Sequence, residues 1–258
     1  MVKVTFKSLV VCSLFAFCIA CSNNSNQLDM ELIPVKSGEK WGYINKKGEY
    51  VINPQFENVF FFRDGLALVE ASDGKLGFIG KDGKYKIAAQ FMAATPFFEG
   101  LAFVVSEGGY PVCIDKSGKT MFELKQAEIV FAFSDGLALF CNENLDCGFV
   151  DKSGKVVVNP QFDDARPFSE GLAAVERDGK WGFIDKTGKI VINPQFEKVG
   201  DFVKGKAIFA TDDDKFGYID TKGNYVINPQ FDYASNFSDG SRNSKNEFFF
   251  GWRGKYNH

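Results

Sequence analysis

One histidine in 258 residues, standing at position 258, is the scarcest resource of this chain. With no imidazole elsewhere, the body of the fold is expected to assemble no Ser-His-Asp triad, Cys-His dyad or histidine-built metal centre. Charge of one sign is also lacking. The 30 Lys and Arg residues face 33 Asp and Glu, a net charge of −3, which leaves no overall basic footprint for nucleic acid. With 45% hydrophobic and 24% charged residues, the composition is that of a chain with a core, not of a disordered one. No segment keeps a helical period over three turns. The uncharged run Ser8–Ala20 is shorter than the ~20 apolar residues a spanning helix needs. Two residue types are in excess, 29 Phe and 26 Gly, a mixture that reads as short aromatic strands joined by tight turns.

The glycines fall at a fixed interval. Lys180-Trp181-Gly182-Phe183-Ile184-Asp185-Lys186-Thr187-Gly188-Lys189 echoes Lys40-Trp41-Gly42-Tyr43-Ile44-Asn45-Lys46-Lys47-Gly48-Glu49. The phrase recurs at Leu76-Gly77, Pro111-Val112, Cys147-Gly148 and Phe216-Gly217, at spacings of 35, 35, 36, 34 and 35 residues from position 41. A second phrase keeps step with it, including Phe62-Arg63-Asp64-Gly65, Phe133-Ser134-Asp135-Gly136 and Phe168-Ser169-Glu170-Gly171. A third, Asn-Pro-Gln-Phe, begins at Asn53, Asn159, Asn193 and Asn228. Six copies at one period signal a repeat architecture.

Each copy parses into strands and turns. Leu172–Glu176 and Trp181–Asp185 are apolar or aromatic runs separated by Arg177-Asp178-Gly179-Lys180, a turn in which Asp and Gly take the special backbone angles. Asp185-Lys186-Thr187-Gly188 predicts a hairpin with Gly at the left-handed position. Lys189–Ile192 is a third strand, ended by Asn193-Pro194 because Pro cannot donate to a ladder. The unit is therefore a three-stranded antiparallel meander plus a connector with room for a fourth short strand. Alternation along the strand sets Trp181 and Phe183 on one face and Ile184 on the other. A meander this small cannot bury its own face, so neighbouring copies must cover it, which makes Trp41 and Trp181 core residues first and a ligand platform second.

These phrases resemble the WG-repeat family, also called the KWG repeat, over residues 32–240. The resemblance implies an all-β repeat protein of the bacterial envelope and carries no shared catalytic residues. Only Trp41 and Trp181 keep the Trp of the motif, and the copies at Pro111-Val112 and Cys147-Gly148 have drifted. Tandem ~35-residue meanders predict an open solenoid-like stack; the alternative is a propeller-like ring of six or seven blades. The stretch Gly240–Trp252 reads as a degenerate seventh unit, so the repeat domain is placed at 32–258.

The first residues form an address. Lys3 and Lys7 precede a short apolar run, the layout of an export signal over residues 1–20. The run ends in Ile19-Ala20-Cys21 before the polar tether Ser22-Asn23-Asn24-Ser25-Asn26-Gln27, which resembles a bacterial lipoprotein signal. That resemblance implies a lipid-modified Cys21 as the first mature residue, residues 21–31 as a tether, and attachment to the cell envelope. Ser22 resembles the residue of lipoproteins sent to the outer membrane. Loss of Lys3 and Lys7 leaves 28 basic against 33 acidic residues, a net −5, and an acidic body argues for attachment by the lipid rather than by charge.

Of the remaining cysteines, Cys141 and Cys147 flank a predicted hairpin turn, where a disulfide is geometrically feasible in an oxidising compartment. Cys113 stands where other copies carry Phe or Tyr and is expected as a buried free thiol. The carboxylates before Gly (Asp64, Glu99, Asp135, Glu170, Asp239) and in the hairpins (Asp115, Asp151, Asp185, Asp220) are explained by turn chemistry. Asp212-Asp213-Asp214 lacks the spaced oxygens of a calcium loop and reads as a solvated turn. No metal or other cofactor is expected. The functional expectation is a non-catalytic, lipid-anchored surface for an envelope protein. A carbohydrate-binding module using Trp41 and Trp181 is the alternative, and a hydrolase a distant third.

Overall fold

The computed structural model describes residues 31–236. The segment expected to be an export signal with its Cys12 and Cys18, the expected lipid site Cys21, most of the expected tether, Asp239, and the expected degenerate unit Gly240–Trp252 lie outside the described residues. Every regular element within them is a β-strand. They form six small antiparallel sheets in tandem. The first has three strands, Ile33–Ser37, Lys40–Ile44 and Tyr50–Phe56. Each later sheet adds a two-residue strand in front of such a triplet; the fifth, for example, is Asp164–Ala165, Leu172–Arg177, Lys180–Asp185 and Ile190–Phe196, in sequence order.

The connector is therefore the seam between sheets. The long strand Ile190–Phe196 closes the fifth sheet, and after Glu197 alone the chain opens the sixth with Lys198–Val199. This corrects the reading that Asn193-Pro194 ends a strand. The strand runs through the proline because a bulge takes it out of the ladder. Trp181 pairs with Phe196 and Phe183 with Ile192, so the single residue Gly182 stands opposite Asn193-Pro194-Gln195. Proline's missing N–H falls where no ladder bond is lost.

Gly182 is what admits the bulge. A Cβ on it would lie 2.4 Å from the Ile192 carbonyl oxygen and 2.6 Å from Pro194 N. Gly42 and Gly148 meet the same backbone atoms at the same distances to within 0.1 Å. The second sheet repeats the bulge over Ala88-Ala89-Gln90, opposite Gly77, with no proline present. The third sheet has Val112 in place of the glycine. There Val112 pairs with Glu123 and Cys113 with Phe122, and the bulge is gone.

Alternation buries both faces of each inner sheet. Phe183 joins a cluster with Phe202, Phe209 and Ile219 of the sixth sheet, and Ile184 joins one with Phe149 and Val158 of the fourth and with Phe168 of its own sheet's corner. Five such clusters link successive sheets, and among the described residues none joins the first to the sixth. The corner phenylalanines lock these seams edge-to-face: Phe149 with Phe168 at 4.7 Å and Phe183 with Phe202 at 4.8 Å between centroids.

Cys141 and Cys147 are direct cross-strand partners in the fourth sheet and are joined by a disulfide inside the cluster it shares with the fifth. Closing a loop this short stabilises by roughly 2 kcal/mol in the chain-entropy account. Cys141→Ala/Cys147→Ala is therefore expected to melt a few degrees lower with its β-sheet circular dichroism intact. Unchanged melting would sink that assignment of stability. Cys113 is free and fully buried against Phe103, Phe133 and Phe140, and burial pushes its thiol up to about 12.

Candidate interaction surface

In a meander the two hairpins of one sheet leave opposite ends of their shared strand. The hairpins between the last two strands of each sheet and the Phe-x-(Asp/Glu)-Gly corners share one end. Lys116 Nζ donates to the Asp64 carbonyl at 3.3 Å, and Lys152 Nζ to the Glu99 carbonyl at 3.4 Å. The hairpins between the middle strands, such as Arg177–Lys180, share the other.

The lysine-bearing hairpins are stiff. Asp185 Oδ1 accepts from the Thr187 N–H at 2.9 Å, the Lys189 N–H at 3.1 Å and the Thr187 hydroxyl at 2.6 Å. The hydroxyl bond, first, and the backbone bonds hold the Asp185 carboxyl below the ordinary value for an aspartate. Asp115 and Asp151 repeat the arrangement with Ser117 and Ser153.

The corners hold more than a turn. Asp64, Glu99, Asp135, Glu170 and Lys204 sit in left-handed backbone at φ 51 to 54, each followed by a glycine of positive φ. Each acid then reaches the next corner. Asp64 accepts from Gly100 N–H at 2.7 Å, Glu99 from Gly136 N–H at 3.1 Å, and Asp135 from Gly171 N–H at 2.7 Å. Glu170 accepts from the N–H groups of Lys204 and Gly205 at 2.6 and 2.7 Å. A ladder of carboxylate-to-amide bonds thus ties sheet to sheet along one line, with Ser134 and Ser169 adding hydroxyl bonds to the carbonyls of Phe168 and Phe202.

Turn chemistry alone does not account for these acids. Asn or Gly suits a left-handed position better than Glu does, yet Glu99 and Glu170 occupy it. That mismatch is the signal in the sequence for a carboxylate needed elsewhere. Asp135→Gly separates the two roles. It relaxes the backbone, so a turn-only role predicts equal or greater stability. The ladder predicts a loss of about 1–2 kcal/mol from the orphaned Gly171 N–H, read by denaturant titration.

Trp41 and Trp181 are half-buried, packed on the clusters beneath them, and the Arg166 guanidinium lies 5.7 Å from the Trp181 ring centroid. The two tryptophans stand in the first and fifth sheets and do not form one site. Asp212 and Asp214 pair with Lys180 and Lys198 at 2.6 and 2.9 Å, and among the described residues no group of acidic, Cys or His side chains could hold a metal ion.

Stacked meanders, each covering its neighbour and bonded to it at the corners, define a β-repeat protein. The WG containing repeat profile matches residues 41–75, 77–110, 148–181, 181–214 and 216–240. The chain belongs to that family. The gap in the match, 111–147, begins where Val112 replaces the glycine and the bulge is lost.

Among curated proteins none matches the chain. Solved structures resemble it at low identity. The computationally designed Ika8 protein is 12% identical, with a TM-score of 0.50, over 78% of this chain and 72% of that one. A eukaryotic initiation factor is 15% identical with a TM-score of 0.51, over 83% of this chain and 63% of that one. The WD40 beta propeller domain of Doa1 is 12% identical with a TM-score of 0.39, over 79% and 72%.

Proposed function

We propose that the protein is a non-catalytic scaffold, anchored in the bacterial envelope by lipid at Cys21, that offers a repeat-built surface to another envelope protein. The ladder carries this reading. The recurrent carboxylates, the residues of the repeat best suited to acid–base chemistry, are engaged one after another in holding the neighbouring corner. What the repeat leaves free is a long, evenly spaced set of turns at either end of the sheets, a large area with little chemistry, as interaction repeats have.

The half-buried packing of Trp41 and Trp181 favours this reading over a sugar platform, which needs an open ring face. The anchor is tested by metabolic labelling with palmitate, where Cys21→Ser should abolish incorporation and release the protein from the membrane fraction. Crosslinking in the native envelope tests the scaffold. A protein partner recovered from wild type and lost on substitution of surface turn residues supports it. Specific glycan binding that shifts tryptophan fluorescence would replace it with the sugar reading.

A further inference from the structure

The net charge of the chain conceals a segregation. The six hairpins at the corner end of the sheets, residues 45–50, 80–86, 115–120, 151–156, 185–190 and 220–225, hold twelve lysines and six carboxylates. The six hairpins at the other end, residues 37–40, 70–76, 105–112, 141–147, 177–180 and 210–216, hold ten carboxylates and five basic residues. The corners share the first end and add Arg63 and Lys204 against Asp64, Glu99, Asp135 and Glu170, so that rim holds fourteen basic groups and ten carboxylates and stays basic, while the other is acidic. Five- and six-residue middle strands set them about 17–20 Å apart. That is twice the Debye length of roughly 8 Å at physiological salt, so neither rim cancels the field of the other.

Within the basic rim, Lys84, Lys119, Lys155 and Lys189 occupy one repeat position in four consecutive sheets, all exposed. Among the described residues no ion pair engages their ammonium groups. Apolar side chains emerge beside them. Of the twelve large hydrophobic residues that stand exposed, seven lie in the first two positions of the strands that leave these hairpins: Tyr85, Met121 and Val191 in the sheets of this row, and Tyr50, Val51, Tyr225 and Val226 in the sheets at its two ends. A row of ammonium groups bordered by tyrosines and aliphatic side chains matches a membrane surface: lysine is attracted to anionic headgroups, and tyrosine prefers the interface.

We propose that this rim docks on an anionic phospholipid surface. The corner end of every sheet then faces the bilayer and the acidic rim faces away. The inference does not depend on the lipid at Cys21. It also revises the argument from net charge, because a surface a few ångströms away feels the nearest rim and not the average.

The test uses the full chain and vesicles of phosphatidylcholine with or without phosphatidylglycerol. At roughly fivefold in affinity per lysine near such a surface, K84Q/K119Q/K155Q/K189Q should bind phosphatidylglycerol vesicles roughly several hundred-fold more weakly than wild type. Wild-type binding should fall as salt rises. Both proteins should partition equally onto neutral vesicles, where attachment through the N-terminal segment alone would show. D212N/D213N/D214N, on the opposite rim, should leave binding unchanged. Equal binding of wild type and the lysine variant to anionic vesicles overturns the proposal, as does an equal loss on neutral ones. A lysine variant that loses only a soluble polyanion such as dextran sulfate overturns it in favour of an acidic polysaccharide. A gain from the acidic-rim variant as large as the loss from the lysine variant would show net charge, not the rim, to be responsible.

Discussion

Gly182→Ala should lower stability by roughly 3 kcal/mol, and the melting temperature by some 6–12 °C, through a single added methyl. The size of the effect follows from what the methyl meets. Its nearest neighbours are the Ile192 carbonyl oxygen, Pro194 N and the Asn193 carbonyl carbon, at 2.4 to 2.8 Å, and all are backbone. A clash with a flexible side chain is relieved by a rotamer change. A clash with backbone requires the whole Asn193-Pro194-Gln195 arch to lift away from the strand. Phe196, just past the arch, is buried against Phe209 of the sixth sheet, so lifting it opens a seam. The control is Gly65→Ala. That residue has φ +85 and nothing within 4 Å of an added Cβ, so only backbone strain of about 1 kcal/mol applies. If Gly182→Ala and Gly65→Ala melt together, the close approach is not what keeps the glycine in the motif.

The third sheet makes the same point within the native chain. Where Val112 stands in place of the glycine, the partner strand is the short Thr120–Glu123, with no arch. Where Gly77 persists and Asn-Pro is replaced by Ala88-Ala89, the arch remains. The glycine, not the proline, is the requirement. A sequence reader sees the two phrases Trp-Gly and Asn-Pro-Gln-Phe at one period and cannot tell that one is the mould of the other. That relation depends on cross-strand register, which periodicity does not encode.

Much else was legible for a simple reason: it is local. The period, the turn at Asp178-Gly179, the hairpin at Asp185–Gly188 and the opposite facing of Phe183 and Ile184 all follow from residues within a few positions of each other. What escaped was contact between copies. Asp64 and Gly100 are 36 residues apart, and each has a sufficient local explanation as a turn residue, so nothing local calls for the bond between them. The two rims escaped for a related cause. Summed over the six units, lysines outnumber acids in one set of hairpins and acids outnumber basic residues in the other, and a whole-chain sum removes that difference. The seam strands were half visible: a connector with room for a fourth strand was expected, but not that it would pair with the following copy, as Lys198–Val199 does with Phe209–Ala210.

A repeat array is stabilised by each unit and by each junction, so the loss of one junction near an end should show itself as a loss of cooperativity. Phe202→Ala is the change to make. The ring is 1% exposed, meets Phe183 edge-to-face at 4.8 Å, and fills the seam between the fifth and sixth sheets with Phe196, Val199 and Phe209 around it. Truncating a buried Phe costs about 3–5 kcal/mol in transfer and cavity terms. Among the described residues the sixth sheet packs against another sheet on one face only. On its far side Phe231 is 42% exposed, while its equivalents Phe56, Phe91, Phe162 and Phe196 are between 1% and 8%. With the Phe202 seam weakened, residues 206–231 should open at a lower free energy than the fourth and fifth sheets. Hydrogen exchange would then show amides of Ala207, Phe209, Tyr218 and Ile219 losing protection while those of Leu139, Phe149 and Val175 keep theirs. The corresponding change in the middle of the array, Phe133→Ala, removes a ring stacked at 5.4 Å on Phe103 and should instead weaken the junction between the third and fourth sheets, with sheets remaining on either side. Simultaneous loss of protection across all six sheets in Phe202→Ala would mean that the array unfolds as one body. The junctions would then be too strongly coupled for nearest-neighbour bookkeeping, and the corner ladder, which crosses this same seam from Glu170 to Gly205, would be the bond to remove next.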